Sequence, residues 1–381
     1  MNINSENQKS LTKSLDDKNE MIKYGESIIE SNKNQSQVSV IKETTFNNQD
    51  KNILLFGIFD GHNGPEVSKY LSLHFSQFLS ENINFTNGNY KKSLEETFIN
   101  IDDSLRSLQV QLELSNYSIN KDIKKDSNNN EFDAFFELFD PINLDKVNIA
   151  EFCGSSGIVI LITEKTAYIA NLGNSKCIPI NNKNEIIQEK INKEHTIYNE
   201  DETKILNEQF GNINIEDKNK DPIKDKYINN FPIFTTRGFG DLQYKYNNIM
   251  NFEGQYISNK PDIIEIPIEE LSFLIIGNYG CFSEKQNSLS LEKYFLDKYN
   301  KNKEQKISSI IEEFFKGKIL DIEKNKEINI NINKMASIII EFKHENLLNN
   351  LNNIFLDEDK KETPDKNDIK KNKDEDEEEN L

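Results

Sequence analysis

An almost unbroken apolar run, Asn52-Ile-Leu-Leu-Phe-Gly-Ile-Phe59, passes directly into Asp60-Gly-His-Asn-Gly64, and an amphipathic stretch follows at once. A run of this length ended by turn-forming residues reads as a buried strand. Val67, Tyr70, Leu71, His74, Phe75 and Phe78 then recur at the spacing of one helix face. The chain is therefore expected to contain a central strand, a tight turn and a helix packed back over the sheet. Asp60 presents a carboxylate at the sheet edge, where Gly61 would let a metal or phosphate approach the backbone. His62 adds a group that can move a proton near neutral pH. Taken alone, these three residues are explained as well by a capped turn as by a site.

The rest of the chain alternates short elements with polar breaks. A second helix is expected over about residues 92–112, from Leu94, Phe98, Ile101, Leu105 and Leu108. Gly157–Ile162, Ala167–Ala170 and Cys177–Ile180 are short runs at hairpin spacing, which implies antiparallel strands. Further strands are expected at Phe231–Thr235, Ile263–Ile266, Phe273–Gly277 and Met335–Phe342, and helices at Glu200–Glu208 and Ile307–Phe315. This pattern points to an α+β fold with sheets inside and helices outside. No linker divides residues 21–345, so one domain is expected there, with an insertion at about 114–150. Residues 1–20 are polar and expected to be disordered.

Charge narrows the function. A net charge of −19 argues against nucleic-acid and anionic-membrane partners, which require basic faces. Residues 346–381 are expected to form a polar, acidic disordered tail. From Asp357 to Leu381 there are twelve acids and six lysines, too little apolar surface to offset ordering entropy. Cys153, Cys177 and Cys281 form no CxxC pair and no zinc pattern, which fits an intracellular protein, cytoplasmic or nuclear. There is no apolar leader, no glycine at position 2 and no run long enough to span a bilayer.

Read in order, the motifs become specific. Phe59-Asp-Gly-His-Asn-Gly64 resembles the "FDGHGG" segment of the type-2C metal-dependent protein phosphatase family. Gly154-Ser-Ser-Gly157 resembles its "GSTA", Ala170-Asn-Leu-Gly-Asn-Ser-Lys176 its "ANVGDSR", and Glu194-His195 its "DH". Thr236-Arg-Gly-Phe-Gly-Asp241 resembles "SRAFGD", and Lys260-Pro-Asp262 contains the "PD" pair. Phe273-Leu-Ile-Ile-Gly-Asn-Tyr-Gly280 resembles "FLILASDG", and Asn333-Lys-Met-Ala-Ser337 resembles "DNMTV". The resemblance implies a β-sandwich of two antiparallel sheets flanked by helix pairs. It also implies a site where two Mg²⁺ or Mn²⁺ ions activate a water against phosphoserine or phosphothreonine.

Such a site needs anionic oxygen ligands, and this chain departs from the pattern where they belong. The resemblance leaves Asp60 and the Gly61 carbonyl as metal ligands and His62 as a vestigial acid. The best match to the upstream segment puts Lys33 at the phosphate-binding arginine, and Gln37 and Val38 at the paired acids. Asn174, Tyr279 and Asn333 replace three further aspartates, with the Tyr279 ring expected in the space a metal and its waters would fill. Arg237 and Asp241 are expected to brace a loop. At a cost on the order of 2 kcal/mol per lost ligand, tight metal binding is not expected.

An apparent calcium loop from Asp140 to Glu151 fails on its own terms, because Ile142, Leu144 and Asp145 occupy positions that need oxygen ligands and glycine. The expected function is a pseudophosphatase that binds a protein partner, a phosphoprotein or a kinase. The alternative is a divergent active phosphatase, with Mg²⁺ or Mn²⁺ held by replacement acids such as Glu26, Glu30 or Glu284. A purely structural scaffold overlaps the first reading.

Overall fold

The computed structural model describes residues 11–19, 21–30, 37–46, 53–118, 148–210, 215–217, 226–228, 234–245, 255–282, 290–324 and 334–343. In chain order these hold strands β1 (Leu11–Lys18), β2 (Ile22–Glu30), β3 (Val38–Phe46) and β4 (Ile53–His62), then helices α1 (Glu66–Glu81), α2 (Ile83–Thr86), α3 (Tyr90–Ser104), α4 (Leu108–Ser118) and α5 (Ile149–Phe152). There follow β5 (Gly154–Ile162), β6 (Thr166–Leu172), β7 (Lys176–Asn181), α6 (Glu200–Phe210), β8 (Ile215–Asp217), β9 (Lys226–Ile228) and β10 (Phe239–Gly240). The chain continues through β11 (Asp262–Pro267), β12 (Leu271–Gly277), α7 (Tyr279–Phe282), α8 (Leu291–Lys301), α9 (Ile307–Lys324) and β13 (Lys334–Phe342).

Alternation along the strands builds the layers. On β4, Leu54, Phe56 and Ile58 face one core while Ile53, Leu55 and Phe59 face another. This explains why the strand is apolar throughout rather than every second residue. The first core lies between two antiparallel sheets, where Ile158 and Ile160 meet Leu274, Ile276, Ile338 and Ile340. One sheet has the order β1-β2-β13-β12-β7, and the other β11-β6-β5-β4-β3 with β10 paired to β5. A second core packs α1 and α3 onto the latter sheet through Leu71, Phe75, Leu94 and Phe98. A third packs α8 and α9 onto the former through Phe295, Ile311 and Phe315. The expected sandwich of antiparallel sheets flanked by helix pairs is the observed fold.

Several expectations need correction. Residues 11–18, read as part of a disordered start, form edge strand β1, paired along its length with β2. Asp16 on that strand accepts hydrogen bonds from the backbone N–H and hydroxyl of Ser308, capping the start of α9. The helix expected over 92–112 is two helices, α3 and α4, separated at Leu105–Ser107. The expected insertion begins later than residue 114, because α4 runs to Ser118 with Leu114 buried against the second core. Of the strand expected at Phe231–Thr235, residues 231–233 lie outside the described residues, and Thr235 makes an isolated bridge to Thr196. Most of the dismissed calcium loop, residues 119–147 around it and the acidic tail lie outside the described residues. Among the described residues, no helix is long and apolar enough to cross a membrane.

Candidate active-site cleft

One end of the sandwich gathers the chemistry-bearing residues. The C-terminal end of β4, the N-terminal ends of β3 and β5, and the loop after β6 lie together on one sheet. The end of β12 and the start of β13 bring the other sheet to the same place. Strand alternation turns Asp60 to the face carrying Phe56 and Ile58, toward the second sheet. The register sets Val38 opposite Asp60 on one side and Ser156 opposite it on the other. The sequence match that put Val38 at an acid position therefore lands beside Asp60, where Val38 supplies a buried apolar surface.

Asn278 is the residue that meets Asp60. Its side-chain amide donates to Asp60 Oδ2 at 2.9 Å and to the backbone carbonyl of Lys334 at 3.0 Å. Its Oδ1 accepts from the Ala336 N–H at 3.1 Å and from the Cys281 thiol at 3.3 Å. A fully buried amide with every group satisfied is a rigid clamp between the sheets. On its other side, Lys334 Nζ donates to the Gly61 carbonyl at 3.2 Å. Burial raises the Asp60 pKa, against the opposing pull of Asn278, Lys334 and His62. Burial likewise lowers the Lys334 pKa, with Asp60 opposing it.

His62, expected as a vestigial acid, has a carboxylate partner. Its Nε2 lies 2.6 Å from Asp241 Oδ2. Asp241, expected to brace a loop, makes this contact from a left-handed backbone (φ 49°) directly after β10. The pair meets across Gly154, where any Cβ would collide with both the Asp241 carboxylate and His62 Nε2. Burial works to lower the imidazole pKa, but the charge and hydrogen bond of Asp241 outweigh it and hold it above its ordinary value.

Arg237 joins several segments. Its guanidinium forks onto Glu202 at 2.6 and 3.0 Å, reaches Asp262 at 2.9 Å, and caps the Lys260 carbonyl at 3.1 Å. Asn174 Oδ1 accepts from the Ser156 hydroxyl at 2.9 Å, a local contact of the loop after β6. Tyr279 turns its ring onto Phe234 (centroids 5.7 Å apart), which packs in turn on Tyr198. The side chain that enters the space beside the Gly61 carbonyl is thus Lys334, not Tyr279. Lys33 and Asn333 lie outside the described residues, as does Glu284. Glu26 is buried between the sheets and committed to Lys42, 2.5 Å away.

The donor set does not fit a pair of divalent cations. Among the described residues, no three His, Cys, Asp or Glu side chains gather where they could hold a metal ion. Among the described residues Asp60 is the one carboxylate bonded at the corner, and an amide and an ammonium already engage it and its neighbouring carbonyl. Sequence reading missed both Asn278 and Lys334. Each directly adjoins a position already singled out, Tyr279 and Asn333, so a charged or amide residue inside those motifs was the available signal.

Residues 22–122 and 110–309 match the family model described as Protein phosphatase 2C. A "Probable protein phosphatase 2C 6" from Paramecium tetraurelia is 26% identical over 343 residues, covering 87% of this chain and 96% of the relative. A "Probable protein phosphatase 2C 2" from the same organism is 26% identical over 64% of this chain and 68% of the relative. Among solved structures, a phosphatase from Toxoplasma gondii superimposes with a TM-score of 0.56 at 12% identity, covering 88% of this chain and 96% of that one.

Proposed function

Because the chain belongs to the protein phosphatase 2C family, we propose that it is a pseudophosphatase: it keeps the family fold and uses the cleft to bind a protein partner, a phosphoprotein or a kinase, without hydrolysis. The observation that carries this reading is the isolation of Asp60. A family that depends on Mg²⁺ or Mn²⁺ needs several anionic oxygens around its ions, and here, among the described residues, a single carboxylate stands at the corner, already bonded to Asn278. The supporting observation is that the fold around the corner is otherwise intact, with the Arg237 brace and an aromatic line running from Tyr279, next to Asn278, through Phe234 to the exposed ring of Tyr198. A line of rings can hold a partner segment without any chemistry.

One observation favours the alternative, a divergent active phosphatase. The His62–Asp241 pair beside Asp60 has the geometry of a positioned proton carrier. The test is direct. Purified protein incubated with phosphoserine and phosphothreonine peptides in Mn²⁺ or Mg²⁺ should release no phosphate above the blank, while calorimetry should still detect binding of a partner segment. Metal-dependent turnover that disappears in Asp60→Ala would overturn the pseudophosphatase reading.

A further inference from the structure

The Lys334 ammonium sits where the corner would need a cation. β13 begins at Lys334, and the side chain reaches across from the five-stranded sheet to the Gly61 carbonyl on the other. That carbonyl belongs to a residue whose surroundings are closed. A Cβ at Gly61 would lie 2.8 Å from the carbonyls of Gln37 and Gly64 and 2.9 Å from Ser68 Oγ. Its N–H is already spent on Gln37 at 2.8 Å. What the corner leaves for a cation is the Gly61 carbonyl, which Lys334 Nζ engages, with the Asp60 carboxylate on the adjoining residue as the negative charge that opposes the effect of burial on the lysine. The backbone of the same lysine is tied down by the same clamp, because Asn278 donates to the Lys334 carbonyl and to Asp60 together. Through the Asp60–Gly61 backbone and the body of Lys334 itself, these contacts close a loop that joins the two sheets.

We propose that Lys334 is a built-in cation that takes the place of a metal ion between Asp60 and the Gly61 carbonyl, tying the two sheets together without any bound ion. The proposal rests on the reading that this corner does not hold a divalent pair. An ammonium delivers one charge and three donors from a tether, so it can be expelled neither by chelators nor by dilution. The same side chain excludes a divalent ion, since a metal at the Gly61 carbonyl would have to displace a like charge.

The experiment is a double-mutant cycle with a metal arm, on the full chain. Lys334→Met keeps the length and removes the charge, leaving Asp60 buried without its cation. Its melting temperature should fall by about 4 °C or more. In Asp60→Asn, Lys334→Met should then cost much less, so the two substitutions are strongly non-additive. Additive losses, or no loss in Lys334→Met, would overturn the proposal. In the metal arm, Lys334→Asp should gain a saturable heat and a rise in melting temperature with millimolar MnCl₂, neither of which wild type should show. A folded Lys334→Asp protein with no response to Mn²⁺ would also overturn it, and if that variant fails to fold the cycle decides alone. Saturable Mn²⁺ binding by wild type without turnover would overturn this proposal alone, whereas metal-dependent turnover that disappears in Asp60→Ala would remove the pseudophosphatase reading and this proposal with it.

Discussion

Two clusters of charge lie within the same fold, and they are balanced in different ways. The brace around Arg237 sets one guanidinium against Glu202 and Asp262, and Asp262 also takes a hydrogen bond from His195 at 3.0 Å. The corner around Asp60 sets one carboxylate against an amide and an ammonium. The brace is rich in acids and the corner is poor in them, yet in both the chain supplies its own counter-charge. A site built for divalent cations would do the opposite, holding carboxylates together whose repulsion only an added ion relieves. The diagnostic quantity is therefore uncompensated negative charge, not the number of acids nearby.

The largest effect should come from the brace. Glu202 is 5% exposed, and among the described residues Arg237 is the cation paired with it. Arg237→Met should therefore cost about 3 kcal/mol, read as a lowered urea midpoint, because a buried carboxylate loses its cation. Arg237→Lys should recover only part of this, since a point charge cannot fork onto both Glu202 oxygens and reach Asp262 as well. Equal stability of Arg237→Met and wild type would mean that the brace balances no net charge, and the contrast with the corner would collapse.

Acid should separate the two regions further. Burial alone would raise the Asp262 pKa, but the His195 hydrogen bond and the Arg237 charge hold the carboxyl well below its usual range. A carboxyl with a depressed folded pKa adds stability above its unfolded value of about 4, and that stability is lost as pH falls toward the folded value. Urea midpoints of wild type should thus drop more steeply between about pH 4 and 2 than those of Asp262→Asn. Parallel curves would remove Asp262 from the brace. Asp60, whose pKa burial raises, cannot contribute a loss of the same sign.

Much of the fold was legible because its strands are apolar on both faces. β4, β5, β12 and β13 carry runs that only a buried strand explains. β2 escaped notice because its inward face includes Glu26 between Tyr24 and Ile28, and its other face places Gly25 and Ser27 among apolar neighbours. A buried acid whose partner Lys42 lies on another strand breaks the alternation that a sequence reading relies on. The site was legible as a set of losses, because each motif fixes where an acid should stand. The replacements were not, because Asn278 and Lys334 act one residue away from those positions, and only strand register tells which side chain reaches Asp60.

A smaller effect should be visible at His62. Its folded pKa lies above the ordinary histidine value, so the stability it adds is present below about pH 6.5 and fades as pH rises through the folded value. In Asp241→Asn the group opposing burial is weakened, and the His62 resonance followed by NMR should titrate at lower pH than in wild type. A titration that stays in place would mean that Asp60 and not Asp241 governs the imidazole. The corner and the loop after β10 would then be one electrostatic unit.

The smallest effect should come from the residue beside Glu202. Asp201 is its neighbour on α6 and pairs with Lys193 at 2.5 Å, a shorter contact than either oxygen of Glu202 makes with Arg237. Distance alone would rank this pair first. Both side chains are about two-thirds exposed, however, so water already solvates each charge and salt screens their attraction. Holding two mobile side chains in one geometry also costs entropy, which offsets most of what the contact gains. Lys193→Ala should leave the melting temperature unchanged within error, at low salt and at high salt alike. A drop comparable to that of Arg237→Met would mean that Lys193 supports the brace through Asp201. In that case the cluster extends to the surface, and the line drawn here between buried and solvated charge on α6 would have to move outward by one residue.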